Sequence, residues 1–561
     1  MKIKIQNTTV IVRSKLSASI LLMVSSMFML QCHSNPGVND PATYPVDITP
    51  NTVKCLIDGA IKTNDIDPLI YGTNLEWFNN AGGLIDSQGQ LNVPLMNLAS
   101  DQGIQLYRYP GGTLADYYHW QDGIGPLSSR KAIDHPTDTG QSVSLFGTPQ
   151  FAQFLNTTNG QALITANAGT GTAAEAASWV DYANNPSNTQ RIADGFVQPL
   201  NFKLWEIGNE LYLPGNPTDV QNISVTPDVY ASRFIAFANA MKAVDPTIKL
   251  LALGADHSGV GPSSHYPNWT EVVLKAAASQ IDYIAVHNGY FPTLYTERQP
   301  AVSLVYPAMM AAPEAVDASL KNLESLIAQY ENGHPINIAI TEWGGFYSIP
   351  RADLYWVDHV KTQGTAIYVA RMMQVFLSHP KVKITNYFKF VDQSFMGWVN
   401  YGGKPKVPYW SFELFARFMR GSVVNSSIDN SGTFSTPQVG GVPATSGVKE
   451  LTSVAAVDHP NHKLHISLVN RSMSKNYVVN LQLLNFQASS NNGQLMTLSA
   501  PEITSNNGRD FPPGTPKYDT AYEPYSSVPA DSIAIKTQAW DITKPVTVPP
   551  FSVMVVEVDG H

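Results

Sequence analysis

FKLWEIGNE, residues 202–210, is an apolar run that stops abruptly at Gly-Asn-Glu. Its near-continuous apolar character reads as a strand buried on both faces, the kind found in parallel sheets. Seven more runs share this design: PLIYGTNLEW (68–77), GIQLYRYPGG (103–112), QALITANAGTG (161–171), KLLALGADH (249–257), IDYIAVHNGYF (281–291), INIAITEWGG (336–345) and KITNYFKFVDQ (383–393). Amphipathic helical stretches lie between them. In TAIYVARMMQVFLSHP (365–380), Ala366, Ala370, Met373 and Leu377 recur at helical spacing, and His379-Pro380 ends the run. AAEAASWVDYANN, DVYASRFIAFANAMKAV and DASLKNLESLIAQYENG behave alike. Eight strand-then-helix units predict an α/β fold of the (β/α)₈ TIM-barrel type, with a doubly wound sheet as the competing arrangement.

The pattern changes after ELFARFMRG (413–421). Residues 451–486 alternate apolar and polar positions around a turn-rich break at Asp458–His462, and PFSVMVVEVDG (550–560) closes the chain as a strand. This predicts a C-terminal antiparallel β-sandwich over 421–561, with a barrel over 65–420 and N-terminal strands at 44–64 that join the sandwich.

Ahead of these, Lys2, Lys4, Arg13 and Lys15 precede the apolar run ASILLMVSSMFML (18–30), which is short for a membrane span. Residues 1–32 therefore read as an export signal and 33–43 as a polar tether. The expected location is periplasmic, cell-surface or secreted. Cys32 directly follows the apolar run, so lipidation there, with membrane anchoring, and simple cleavage nearby both stay open; Met-Leu-Gln before it departs from the small residue a lipoprotein signal has. The only other cysteine is Cys55, and no Cys/His spacing suits a metal, so neither a disulfide nor a metal site is expected.

Charged residues are 14% of the chain against 43% hydrophobic and 10% aromatic, which excludes a disordered or coiled-coil protein. The formal charge of −9 becomes −13 once residues 1–31 are removed. An acidic protein is a poor partner for nucleic acid or anionic membranes.

A barrel carries its chemistry at the C-terminal strand ends. The polar residues collected there are Asn74, Glu76, Arg108, Thr113, Asn167, Asn209, Glu210, Asp256, His257, His287, Asn288, Tyr290, Glu342, Trp343, Lys389, Asp392 and Gln393. Glu210 and Glu342 end strands four and seven, across one mouth from each other. Two facing carboxyls suit retaining cleavage of a glycosidic bond, one giving a proton to the leaving oxygen and the other attacking the anomeric carbon. A lone glutamate there would more often be a solvated loop residue; the pair weakens that reading. Asn209 could hold a sugar hydroxyl, Tyr290 could orient the nucleophile, and Trp77 and Trp343 are the tryptophans placed for stacking. Glu206 reads as an inward barrel residue or a partner for Arg108. His257 and His287 read as hydrogen-bonded cleft residues rather than metal ligands.

YRYPGGTLADYYHWQDGIGP (107–126), ITANAGTGTAAEAASWVDYAN (164–184), WEIGNE (205–210) and TEWGG (341–345), in this order, resemble the family 51 glycoside hydrolases, mostly α-L-arabinofuranosidases of clan A. VPYWSFELFARFMRG and KLHISLVNRSMSKNYVVNLQL extend the likeness, from about residue 45 to the C-terminus. The resemblance implies a retaining hydrolase with Glu210 as acid/base and Glu342 as nucleophile, without a cofactor. It also implies carbohydrate contacts from Glu76, Asn209 and Tyr290, to which Thr113, His287 and Trp343 are added by position. The sequence departs from the family at Thr113 (usually Asn), at Thr341 (often Asp), in the Asn-Gly-Tyr spacing after His287, and around FVDQSFMGWV. Another clan A activity therefore stays open (β-xylosidase, endo-glucanase or glucuronidase-like), as does a glycan-binding protein on an inactive barrel. Family members often form hexamers, and a homo-oligomer stays open too.

Overall fold

The computed structural model describes residues 47–134, 141–213, 223–255, 266–287, 290, 292, 302–345, 361–391, 397–399, 403–507 and 532–561. The export signal, the tether, Asp256, His257, Asn288, Asp392 and Gln393 lie outside these residues.

Eight parallel strands close into a barrel: Gly72–Asn74, Leu106–Tyr109, Gln161–Ala166, Leu204–Ile207, Lys249–Leu253, Tyr283–Val286, Asn337–Trp343 and Val382–Tyr387. They stand around the barrel in chain order, and each falls on one of the eight apolar runs, the eighth strand starting one residue ahead of its run. The main crossover helices are Val93–Asp101, Thr148–Thr158, Ala173–Asn184, Pro227–Val244, Trp269–Ala277, Val302–Ala328 and Gln363–Leu377, with Val407–Phe418 following the eighth strand. A doubly wound sheet is thereby excluded.

Inside the barrel, side chains stack in layers. Leu106, Leu163, Leu204, Leu251, Ala285, Ala339 and Ile384, one from each of strands two to eight, form an apolar floor. Two residues further along a strand the side chain returns to the same side. That step converts the floor into Arg108, Thr165, Glu206, His287, Thr341 and Asn386, all fully buried, while the fifth strand stays apolar with Leu253. The barrel thus changes from hydrocarbon to largely polar within one pleat, just below its mouth.

Nine strands form the second unit around an apolar core that includes Cys55, Ile57, Ile466, Leu468 and Val556. Asp47–Asp65 is an internal strand here, antiparallel to Ser422–Asp429 and parallel to Lys475–Leu484. The sandwich is therefore not purely antiparallel: its N-terminal strand comes from the far end of the chain and can enter beside Lys475–Leu484 in either direction. Cys55 is free and buried, and burial pushes its thiol up to about 11.

The two units share a packed seam. Along the last strand, Met554 and Val556 face the sandwich core while Val553 and Val555 pack with the barrel core. Gln374, on the helix before the eighth strand, accepts from Thr452 Oγ1 at 2.6 Å and donates to the Ser467 carbonyl at 3.3 Å. Gly421 makes the passage from barrel to sandwich at φ +85°, and an added Cβ would lie 2.1 Å from the Val457 carbonyl oxygen. Gly421→Ala is expected to destabilise the protein by about 1–3 kcal/mol, through backbone strain and that clash. The measurement is the thermal midpoint; an unchanged midpoint would show that the junction yields freely.

Candidate active site

The turn Gly208-Asn209-Glu210 explains why the fourth strand ends as it does. Gly208 has φ +82°, and a Cβ there would lie 2.9 Å from Leu211 Cδ1. Glu210 also sits in the left-handed region, at φ +48°, uncommon for a residue with a side chain. Two such residues so close together fold the chain back sharply at the barrel mouth. Glu342 lies within the seventh strand, where pairing with the eighth loses regular register between Ile340 and Trp343.

One carboxylate oxygen of Glu210, one of Glu342 and a ring nitrogen of His287 all lie within 4.8 Å of one another. His287 Nδ1 is 2.9 Å from Glu210 Oε1 and 3.9 Å from Glu342 Oε2. The Nδ1–Glu210 contact is short enough for a hydrogen bond, and Glu342 meets the ring at longer range as a charge contact. Burial opposes the imidazolium, but Glu342 and Glu210 outweigh it and raise His287 above its ordinary value. Burial raises the Glu342 carboxyl, with Glu210 adding to the effect; His287 and Arg108 hold it down.

Arg108, wholly buried, ties the site together. Its Nε donates to Glu206 Oε2 at 2.6 Å, and Nη1 donates to Asn74 Oδ1 at 2.9 Å and to Glu342 Oε1 at 2.8 Å. Nη2 donates to Asn209 Oδ1 at 2.7 Å. Glu206 also accepts from Thr165 at 2.9 Å and from Thr341 at 2.7 Å. The Arg108–Glu206 partnership foreseen in the sequence is present.

Asp116 lies beneath the mouth, in the short 3₁₀ turn Thr113–Tyr117. Its Oδ2 accepts from the Asn209 N–H at 2.7 Å, and Oδ1 from the N–H groups of Ala168 and Gly169 at 2.9 and 3.0 Å. Burial pushes this carboxyl up to about 7, against the pull of those three donors.

The remaining sequence candidates distribute unevenly. Asn209 is buried, and with its oxygen on Arg108 the amide Nδ2 is the group left for a sugar hydroxyl. Glu76 is ion-paired with Lys389 of the eighth strand's end. Thr113 opens the 3₁₀ turn and is half-buried. Tyr290 is buried; its N–H donates to the His287 carbonyl at 3.2 Å and its carbonyl accepts from Tyr368 at 3.0 Å. The stacking role assigned to Trp343 is corrected: its ring is fully buried, edge-on to Phe376 and Tyr387 at 5.1 and 5.2 Å, and offers no open face. Trp77 is likewise inside, stacked on Tyr118 at 5.1 Å. Sequence reasoning gave Arg108 no part beyond Glu206 and left Asp116 out altogether. Arg108 had a signal: a guanidinium inside the apolar strand LYRY must find buried anions. Asp116 had none, because its partners are backbone groups of distant loops.

A (β/α)₈ barrel with two facing glutamates at the ends of strands four and seven defines a glycoside hydrolase, and the comparisons agree. The profile described as "Alpha-L-arabinofuranosidase 1 domain" matches residues 99–289. The intracellular exo-α-(1→5)-L-arabinofuranosidase of Halalkalibacterium halodurans is 26% identical over 411 residues, covering 69% of this chain and 78% of the relative. The exo-α-(1→6)-L-arabinofuranosidase of Bifidobacterium longum is 26% identical, covering 68% and 74%. Among solved structures, the Thermotoga maritima α-L-arabinofuranosidase in its arabinose complex superposes with a TM-score of 0.74 at 22% identity, covering 90% of this chain and 99% of that one. The chain is thus similar, at low identity, to arabinofuranosidases and to structures of glycoside hydrolase family 51.

Arg108→Gln leaves Glu206 and Glu342 as buried anions without their cation. Breaking such a pair typically costs about 3–5 kcal/mol. The acidic limb of kcat/KM is expected above the ordinary glutamate value of about 4.3 in the parent and higher still in the variant; a pH–rate profile measures both.

Asp116, Glu342 and His287 all hold protons more tightly when folded. Stability they contribute is full below their ordinary values and is lost as pH rises through the folded ones. By contrast Asp317 and Glu557, lowered to about 2, cost stability only when the pH falls below the ordinary carboxylate range. Thermal midpoints measured from pH 5 to 8 should therefore decline, and a rise across that interval would contradict the assignment.

Proposed function

We propose that the protein is an exported, retaining α-L-arabinofuranosidase that removes terminal arabinofuranosyl residues from oligo- or polysaccharides. The observation carrying this reading is the close approach of the Glu210 and Glu342 carboxylates, within 4.8 Å. Retaining enzymes hold their carboxyls about 5–5.5 Å apart, whereas inverting ones leave about 6.5–9.5 Å for a water. In the first step a Glu342 oxygen attacks the anomeric carbon while the Glu210 carboxylic acid protonates the departing oxygen. An ester to Glu342 forms and the alcohol leaves. In the second, Glu210, now a carboxylate, takes a proton from water as that water attacks the anomeric carbon. The sugar departs, Glu342 returns as carboxylate and Glu210 as acid.

The local environments suit these roles. Glu342 accepts from Arg108, which stabilises its anion, and is buried. Glu210 is more open, its side chain 20% exposed, as a group exchanging protons with leaving group and water needs to be. The sugar assignment draws on the relatives, which are named as arabinofuranosidases at 26–28% identity. Export rests on the N-terminal basic and apolar segments, and the mass of the mature N-terminus distinguishes lipidation at Cys32 from plain cleavage.

A panel of aryl glycosides with the released sugar identified tests the substrate. Hydrolysis of the arabinofuranoside no faster than in buffer would remove that assignment. Glu342→Ala is expected to lower kcat by at least about 10⁴-fold on every substrate. Glu210→Ala with azide should yield a glycosyl azide of retained configuration; an inverted azide, or full activity in either variant, would refute the roles.

A further inference from the structure

We propose that Asp116 is a positioning residue that sets the aim of Glu210, by clamping the peptide at Asn209 to the loop after the third barrel strand. The proposal rests on Glu210 acting as the acid. Asp116 is completely buried, and its two oxygens take three backbone N–H groups from two different loops. Among the described residues no lysine or arginine forms an ion pair with it, so backbone dipoles alone answer its charge. The grip is mutual: the N–H and Oγ1 of Thr170 donate to the Asp116 carbonyl at 3.1 and 2.9 Å. The approach is so close that a Cβ on Gly169 would lie 2.8 Å from Asp116 Cβ, which accounts for the glycine in ANAGTGT.

The consequence falls on Glu210. The turn at 208–210 is held at its start by Gly208 N–H to the Ala166 carbonyl (2.9 Å) and beyond it by Leu213 N–H to the Glu210 carbonyl (3.0 Å). At its centre the backbone bond is the one from Asn209 N–H to Asp116. The clamped N–H belongs to the Gly208–Asn209 peptide, which is separated from Glu210 by Asn209 alone, and the left-handed backbone of Glu210 has few neighbouring conformations to relax into. A shift of that peptide therefore turns the Glu210 side chain, and a misplacement of about 1 Å can cost about 100-fold in rate.

Two acceptor oxygens are needed because the donors arrive at both. The isosteric Asp116→Asn has one acceptor oxygen, and its NH₂ must face an N–H on one side or the other. A misaimed acid matters only where the leaving group needs a proton. Asp116→Asn is therefore expected to lower kcat/KM on a methyl or other alkyl glycoside by about 100-fold. On the dinitrophenyl glycoside of the same sugar the expected fall is under about threefold, since that leaving group departs as an anion. A residue that merely supports the fold would lower both equally, and equal losses overturn the proposal. Glu210→Ala is run alongside. If it too shows no selectivity for poor leaving groups, the assignment of Glu210 falls and this proposal with it. If Glu210→Ala is selective and Asp116→Asn is not, only the positioning role fails. Should thermal melting show Asp116→Asn unfolded, Thr170→Val, which removes the hydroxyl holding the Asp116 carbonyl, is read by the same ratio. A selective loss on the alkyl glycoside supports the clamp and an unselective one refutes it.

Discussion

The buried guanidinium of Arg108 is the constraint on which the site depends. It stands on the second strand and reaches groups of the first, fourth and seventh, as well as the turn after the fourth. A buried charge is tolerated only when paired and hydrogen-bonded. Here the compensation comes from strands that are far apart in sequence, so satisfying one side chain fixes the relative heights of opposite barrel walls. The same cation stabilises the Glu342 anion and orients the Asn209 amide. Folding and chemical preparation are one act at this point.

Layering inside the barrel makes this arrangement tolerable. The leucine, isoleucine and alanine floor excludes water from below, so each ionic contact above it acts in a medium of lower dielectric. Glu206 uses that setting fully, meeting Arg108, Thr165 and Thr341 with its two oxygens. The sandwich contributes at a distance. It packs against the helix Gln363–Leu377, the element that feeds the eighth strand, and so braces the wall beside Glu342.

The fold was legible because its signals are local and repeated. Eight apolar runs ending in polar residues, each followed by a helix, leave few alternatives, and Glu210 and Glu342 are found by position at two of those ends. What escaped was long-range. The parallel pairing of Asp47–Asp65 with Lys475–Leu484 joins the two ends of the chain, and alternation along either strand is the same whichever way the partner runs. Trp343 looked suited to stacking because it follows a strand-end glutamate, yet the strand's last pleat turns it between Phe376 and Tyr387. Asp116 binds backbone N–H groups, which every sequence has, so nothing in the side chains of residues 168, 169 and 209 could announce it.

The departure at Thr341 shows how a divergent site keeps its balance. Family 51 sequences often carry Asp before the nucleophile, whereas here Thr341 Oγ1 donates to Glu206 Oε1 at 2.7 Å. An aspartate at that position would set a second carboxylate against Glu206, and two anions so close cannot both stay ionised. One would have to keep a proton, and the share of Arg108 left for Glu342 would change with it. With threonine, the layer under the mouth sets Arg108 against Glu206, and the remaining donors of Arg108 are free to serve Glu342 and Asn209. The substitution is thus consistent with the same catalytic pair, and it ties the identity of residue 341 to the presence of a carboxylate at 206.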